Sequence, residues 1–346
     1  MEQVPVPFVS TKKLGFPLKI ISVVAVLGII SGGALLATRV FDPIWSPFRT
    51  SPAKVIPAMI EKMQEIKTFH SEVKFNADMK GEDPGKLTVS SSGSLDINEP
   101  QNVKTDEIFE VLFSSKNIGD IGEVFFAKFN LKTIGREIYF NISELDSPSL
   151  FFLFAMVGIN SNDAVGNWIK FPIENKSGED SKLEQVPSLT EQARKIISES
   201  SFCVFKKQLS DQKIEGQKMY RYLIALDNEK TAQLVSDLEL LQPEKFNTEA
   251  GTLKTKEEIF ELLNNIGEIS AELLIGKNDY FLYGLKIEKN IDLSKFDFGQ
   301  NLLDIYFEIN NSKFNQPVNI EMPVNYKTFE EVFLPLITSV FKNLME

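Results

Sequence analysis

The side chains that most often perform nucleophilic or metal-assisted catalysis are scarce in this chain. His70 is the only histidine and Cys203 is the only cysteine. A Ser-His-Asp or Cys-His mechanism would have to use His70, and no motif places a nucleophile beside it. One His and one Cys are also too few for the usual four-ligand zinc site. We therefore predict that the chain is not an enzyme, and that it holds no metal and no other cofactor.

Two further polar features could be mistaken for sites. The serine cluster Ser90–Ser94 lacks the lysine of a phosphate-binding loop and lies within an alternating strand pattern, so we interpret it as an edge strand or a turn. None of the many carboxylates has the spacing of an EF-hand. Cys203 stands between Phe202 and Val204, which predicts a small buried apolar residue.

A hydrophobic site is a stronger candidate. The apolar run Leu150–Ile159 follows Ser147-Pro148 and is too short to span a bilayer, so it predicts a short buried helix or an apolar flap. Pockets for hydrophobic ligands are lined by such residues. An alternative is that these side chains fill the core permanently. The candidate cavity or lid residues are Phe151, Phe152, Phe154, Met156 and Ile159.

A membrane anchor is predicted near the N-terminus. Residues 20–38 contain no charge, and a helix of this length covers about 29 Å, close to the hydrocarbon core of a bilayer. Lys12, Lys13 and Lys19 precede this stretch, whereas only Arg39 follows it closely. The positive-inside rule then keeps the N-terminus in the cytoplasm and exports the rest of the chain.

Two other readings of this segment remain open. One is a cleaved signal peptide, although nineteen apolar residues exceed a usual h-region. The other is a lipoprotein signal, since Leu35-Leu36-Ala37 begins such a box. However, Thr38 stands where the lipidated cysteine would have to be.

These signals divide the chain into four parts. They are a cytoplasmic tail (1–17), a single-pass signal anchor (18–39), a proline-rich stalk (40–52) and an extracytoplasmic domain (53–346). A hydrophobic content of 43% with 25% charged residues predicts a folded body with a sizeable core. The net charge of −11 argues against nucleic acid as a partner.

Periodicity predicts an α+β domain. Helical spacing occurs in residues 53–69, 229–241 and 256–269, and most segments between these alternate with period two, as antiparallel strands do. We expect one highly curved antiparallel half-barrel sheet whose concave face is covered by helices. Residues 303–309 and 318–321 are expected to pair. Thr328 and Glu331 form a capping-box pattern at the start of a last helix.

The order of these elements carries a family resemblance. The segments concerned are Ile66–Glu72, Gly166–Lys170, Lys218–Asp227, Ile275–Lys286 and Phe314–Pro323. Together they resemble LppX/LprG-type envelope lipoproteins and, more distantly, the LolA/LolB carriers. The resemblance implies a half-barrel with a hydrophobic cavity for acyl chains. The chain departs from this family in lacking the lipobox cysteine.

The sequence therefore predicts a non-enzymatic binding protein of the bacterial envelope. Its partners would be the membrane through residues 18–39, a lipid or acyl-chain ligand, and other envelope proteins. The alternative is a cell-surface scaffold or adaptor with the same fold and a filled core, which acts through protein–protein contacts.

Overall fold

The structure is a computed structural model of the chain. It describes residues 50–81, 84–99, 102–115, 123–147, 165–171, 202–214, 216–241, 255–296, 301–329 and 331–332, together with residues 192, 196 and 200. The predicted anchor, residues 18–39, lies outside this part of the chain. No helix among the described residues has the length and hydropathy needed to cross a bilayer.

Twelve described strands form one open sheet. Its spatial order is β12-β6-β5-β4-β3-β2-β1-β11-β10-β9-β8-β7. The strands are β1 (Thr68–Lys80), β2 (Gly85–Asp96), β3 (Lys104–Ser115), β4 (Glu123–Ile134), β5 (Glu137–Asp146), β6 (Trp168–Phe171), β7 (Cys203–Ile214), β8 (Gln217–Leu226), β9 (Ser270–Gly276), β10 (Leu282–Asp292), β11 (Leu302–Ser312) and β12 (Tyr326–Thr328).

The sheet consists of two antiparallel meanders that meet in its centre. In each meander, β1–β6 and β7–β11, consecutive strands are neighbours. β1 joins the two meanders by pairing with β11, from His70 opposite Ser312 to Lys80 opposite Leu302. Among the named strands, β12 pairs in parallel with β6. The predicted antiparallel sheet is therefore confirmed, and its open form is consistent with a half-barrel.

Three of the described helices pack on one face of the sheet, which we call the inner face. They are α1 (Pro52–Gln64), α2 (Asn228–Glu239) and α3 (Lys256–Ile266). α3 begins with a capping box in which the Thr255 hydroxyl accepts from the Glu258 amide and the Glu258 carboxylate accepts from the Thr255 amide. At its other end, the Lys289 ammonium donates to the Glu268 carbonyl over 2.9 Å.

Among the described residues, α1, α2 and α3 cover one half of the inner face. The described core cluster joins α1, α2 and α3 to β1 and β7–β11, and none of its buried members lies on β3–β6. Among its fully buried side chains are Met59 of α1, Tyr222 of β8, Leu263 of α3 and Leu273 of β9. The void next to Cys203 measures about 10 Å³, roughly the space of one water molecule. This half of the inner face is therefore well packed.

The opposite, outer face carries charged side chains arranged in cross-strand pairs. Arg221 donates twice to the Glu272 carboxylate, over 2.7 and 3.0 Å. Lys128 contacts Glu110 at 2.7 Å. Because side chains alternate along a strand, these polar positions leave the intervening apolar residues on the inner face.

The strands predicted from the sequence differ from the structure in two places. The segment 318–321 is not a strand, and β11 pairs with β1 and β10 instead. After β11 the backbone turns at Lys313 and Asn315, both with positive φ, and Asn315 is held to Thr68 by a backbone hydrogen bond of 2.8 Å. Pro317 and Pro323 flank the segment and cannot donate to a ladder. β7, which was not predicted, is the edge strand beside β8.

Candidate ligand-binding face

The inner face of β2–β6 is apolar and carries a row of aromatic rings. Strand register places Phe109 opposite Phe129, and Leu131 opposite Phe140. The ring centroids are 5.0 Å apart for Phe109–Phe129, 5.4 Å for Phe129–Phe140, 6.2 Å for Phe140–Phe171 and 5.4 Å for Phe171–Phe329. These spacings are typical of interacting aromatic pairs. We call these five residues the aromatic ladder.

The last ring of the ladder comes from the C-terminal part of the chain. Phe329 follows Thr328, whose hydroxyl accepts from the Glu331 amide at 3.2 Å. The Glu331 carboxylate in turn accepts from the Thr328 amide at 2.7 Å. The predicted capping box is thus confirmed. It fixes where the helical backbone begins and so places Phe329 against Phe171.

The ladder differs from the core cluster in its exposure. All five of its phenylalanines are only half-buried, whereas Tyr222 and Leu273 of the core cluster are fully buried. Apolar side chains that stay partly accessible on one face are the usual lining of a site for a hydrophobic partner. The aliphatic inner-face residues beside the ladder are Leu87, Val89, Val111, Leu131, Ile138 and Ile142.

An open cleft adjoins this face where β1–β4 reach one end of the sheet. Its volume is about 530 Å³, within the range of small-molecule sites. Its lining combines the inner-face residues Met79, Gly85 and Ser115 with residues of the outer face and of the turn after β1. The others are Asp78, Lys80, Gly81, Pro84, Lys86, Ser114 and Val124. The cleft therefore lies across the ends of these strands and touches both faces of the sheet.

Glu107 places a carboxyl group among the apolar residues of this face. Its cross-strand neighbours are Gly93 on β2 and Leu131 on β4, and Phe109 follows it on the same side of β3. Within the described part of the chain the Glu107 carboxyl group makes no hydrogen bond or ion pair. Burial raises the pKa of this carboxyl above its ordinary value.

Because the pKa of Glu107 is raised, the free energy of unfolding should depend on pH through this residue. The folded state favours the protonated form of Glu107, and this preference contributes to the free energy of unfolding. The contribution is fully present below the unfolded-state pKa and is lost as the pH rises through the folded-state pKa. We expect Glu107→Gln to become increasingly more stable than the wild type as the pH rises above about 4.5, the ordinary pKa of a glutamate. Urea unfolding at a series of pH values measures this difference. The control is Glu110→Gln, which removes a carboxylate on the outer face of the same strand that already has an ion-pair partner in Lys128.

Gly93 makes room for Glu107. A Cβ atom at position 93 would lie 2.5 Å from the Glu107 Cγ, 2.6 Å from the Asp106 carbonyl oxygen and 2.8 Å from the Glu107 Cα. Two of these three contacts are with backbone atoms, so the side chain alone cannot relieve them. A glycine at this position thus allows β2 and β3 to pair beside the carboxyl group.

We therefore expect Gly93→Ala to lower the free energy of unfolding by about 1–3 kcal/mol, because β2 and β3 must move apart. Thermal or urea unfolding measures the loss. Adding Glu107→Ala removes only the Cγ contact, so the double variant should remain close to Gly93→Ala. Full recovery in the double variant would show that the backbone contacts do not matter.

His70 lies on the outer face, in β1. Its Nδ1 is 3.1 Å from the Ser94 hydroxyl and its Nε2 is 3.2 Å from the Ser92 hydroxyl. Both ring nitrogens are thus engaged by serines of β2, which is an inner strand of the sheet and not the predicted edge strand or turn. Since ladder bonds occupy the adjacent strand amides, this arrangement offers no oxyanion-binding amides.

Cys203 and the acidic residues offer no reactive centre either. Cys203 is buried, as the sequence predicts, and burial raises the pKa of its thiol, which disfavours the reactive thiolate. The described residues contain no cluster of His, Cys, Asp and Glu side chains suited to a metal ion.

The site predicted from the sequence is not tested by the described residues. Phe151, Phe152, Phe154, Met156 and Ile159 all lie outside the described residues. Sequence reasoning missed the aromatic ladder and Glu107. The alternation in Glu107–Phe113 is a signal for an apolar face, but Ile108 and Leu112 on the outer face obscure it, and both are exposed.

Comparisons with known proteins bear on the fold. No protein-family model matches the chain, and no match to a curated protein is found. Among solved structures, LppX, a lipoprotein of Mycobacterium tuberculosis, matches 78% of this chain and 97% of its own, at 13% identity and a TM-score of 0.29. LprF of Mycobacterium bovis matches 79% and 96%, at 9% identity and a TM-score of 0.32.

A LolA superfamily protein from Nitrosomonas europaea matches 77% of this chain and 93% of its own, at 7% identity and a TM-score of 0.14. These identities and TM-scores are low, while the coverage of the matched chains is nearly complete. These matched structures are of the LppX/LprG and LolA kinds that the sequence motifs of this chain also resemble.

Proposed function

We propose that this chain is a membrane-anchored, extracytoplasmic protein that binds a lipid or another hydrophobic ligand on the inner face of β2–β6, without catalysis. The observation that carries the proposal is the contrast between the two halves of that face. Helices fill the half formed by β1 and β7–β11, while the aromatic ladder of the other half stays partly accessible. An apolar ligand would bury that ladder and gain about 25 cal/mol for each Å² of apolar surface removed from water.

The apolar run Leu150–Ile159 is proposed as a flap over such a ligand. Its composition supports this role, because ten apolar residues are too few to span a bilayer and suit the wall of a hydrophobic pocket. The residues assigned to the flap are Phe151, Phe152, Phe154, Met156 and Ile159.

Native mass spectrometry tests the binding proposal. The core cluster includes no residue before Val55, so a chain of residues 50–346 retains every residue of the described core. It would be purified without detergent, weighed, and then extracted with solvent for lipid analysis. Stoichiometric lipid, or uptake of added lipid, is the expected result. An apo mass that takes up no added lipid would leave the scaffold function, in which partner proteins contact the same fold.

The membrane topology is proposed from the N-terminal sequence. Residues 18–39 would anchor the protein, residues 1–17 would stay in the cytoplasm, and the stalk 40–52 would hold the domain away from the bilayer. Protease added to intact bacteria from which any outer barrier has been removed should digest the domain and spare an epitope tag at the N-terminus. Lysed cells, in which the tag must also be lost, provide the control. Digestion of the tag with protection of the domain would reverse the topology.

A further inference from the structure

The chemistry around Glu107 restricts which hydrophobic ligand the inner face can hold. This inference rests on the proposed function and adds the charge of the ligand to it. Register and side-chain alternation place no Lys, Arg or His at an inner-face position of β2–β6. The basic residues of these strands, such as Lys128 and Lys132, lie on the outer face beside Glu110 and Asp106.

An anionic headgroup would be disfavoured next to Glu107. A fatty-acid carboxylate or a phosphate would bring a second negative charge to a half-buried carboxylate, and no cation on this part of the face would compensate it. A cationic headgroup has the opposite effect. It would neutralise a carboxylate that has no partner among the described residues, and would lessen the free-energy cost of keeping that charge partly out of water.

The aromatic ladder favours the same ligand. Phe109 follows Glu107 on the inner face, and its ring stacks on that of Phe129 with a centroid distance of 5.0 Å. The faces of aromatic rings attract amines and quaternary ammonium groups, most strongly where water is excluded. A carboxylate next to stacked rings therefore provides both an ion pair and a cation–π contact for a single headgroup.

We propose that the inner face of β2–β4 binds a cationic amphiphile, an alkyl chain that ends in an amine or a quaternary ammonium group. Glu107 is the counter-ion of the headgroup, Phe109 and Phe129 form its aromatic wall, and the alkyl chain lies along the apolar residues of the neighbouring strands. A Cβ atom at Gly93 would meet the Glu107 Cγ, so the glycine leaves the space in which the Glu107 side chain lies.

Photo-crosslinking of the full-length protein in the uncharged detergent dodecyl maltoside tests this proposal. Three diazirine probes share one dodecyl chain and end in trimethylammonium, carboxylate or hydroxyl. Peptide mapping separates labelling of β3 and β4 from labelling of the anchor segment. On β3 and β4 we expect the trimethylammonium probe to label about tenfold more than the carboxylate probe at neutral pH, a ratio equivalent to about 1.4 kcal/mol.

The variants identify the residue responsible. Glu107→Gln should bring the labelling ratio close to one and leave the hydroxyl probe unaffected, whereas Glu107→Asp should retain most of the preference. Glu110→Gln is the matched control, since Glu110 lies on the outer face of the same strand in contact with Lys128. Thermal unfolding of each variant verifies that it is folded.

Each outcome has a definite meaning. Equal labelling by the trimethylammonium and carboxylate probes in the wild type, or an unchanged preference in Glu107→Gln, would overturn the assignment of a cationic ligand. In both cases labelling by the hydroxyl probe would still support a hydrophobic site. Absence of labelling on β3 and β4 by all three probes would overturn both this inference and the proposed function.

Discussion

Replacing Phe129 with alanine is expected to weaken the uptake of a hydrophobic ligand by about 10- to 100-fold, or about 1.4–2.8 kcal/mol. Phe129 lies in the middle of the aromatic ladder, 5.0 Å from Phe109 and 5.4 Å from Phe140 between ring centroids. Its removal takes away contact area for the ligand and the packing that orients both neighbouring rings. Titration of residues 50–346 with a fluorescent fatty alcohol would measure the affinity.

The matched control is Phe126→Ala. Phe126 lies on the same strand, three residues earlier, but on the outer face opposite Leu112. It should leave ligand affinity within about twofold of the wild type, although both variants lose a half-buried ring and a comparable amount of stability. An equal loss of affinity in the two variants would show that the ligand does not lie on the inner face.

Replacing Leu273 with alanine is expected to lower the free energy of unfolding by about 2–5 kcal/mol. Leu273 is fully buried on the inner face of β9, between Tyr222 of β8 and Leu285 of β10. Its side chain packs in the half of the sheet that α1, α2 and α3 cover, so a truncation there leaves a cavity that the helices cannot readily close. Urea unfolding of residues 50–346 measures the change.

Leu274→Ala provides the comparison for this variant. Leu274 is the next residue, only half-buried on the outer face, and its truncation should cost about 1 kcal/mol or less. An equal loss of unfolding free energy in both variants would show that packing on the inner face of β9 does not stabilise the helix-covered half of the sheet. At temperatures where it remains folded, Leu273→Ala should bind ligand with wild-type affinity, because it lies outside the open half.

Together these expectations assign separate roles to the two meanders. β7–β11, with the helices and β1, supply the packed core that keeps the sheet folded. β2–β6 extend that sheet as a continuous set of hydrogen-bonded strands whose inner face is less deeply buried. Such a division allows ligand contacts to be changed on one half without a large loss of stability, since distant sites contribute nearly independently.

Local features of the chain could be predicted from the sequence because they depend on nearby residues. The helical spacing in α1, α2 and α3 and the alternation in β8 and β10 follow directly from which side chains meet the core. The capping box at Thr328 is equally local, since its two partners are three residues apart. The low number of His and Cys residues also restricts the available chemistry.

Strand pairing over long distances could not be obtained in this way. β1 pairs with β11 although His70 and Ser312 lie at opposite ends of the folded chain, and the sequence offers no turn signal for such a contact. The nearer segment 318–321 therefore looked like the better partner for β11. The prolines that flank it and the turn at Asn315 exclude that pairing once the whole sheet has formed.

By itself, the sequence determined the α+β class, the antiparallel strands, the amphipathic helices and the expectation of an apolar site. The tertiary structure decided which strands are neighbours, and hence that Phe109, Phe129, Phe140 and Phe171 form one row with Glu107 beside it. The physical reason is that the periodicity of apolar residues along the sequence depends only on whether each residue faces water or protein. Which partner it faces depends on register across the whole sheet, to which every strand contributes.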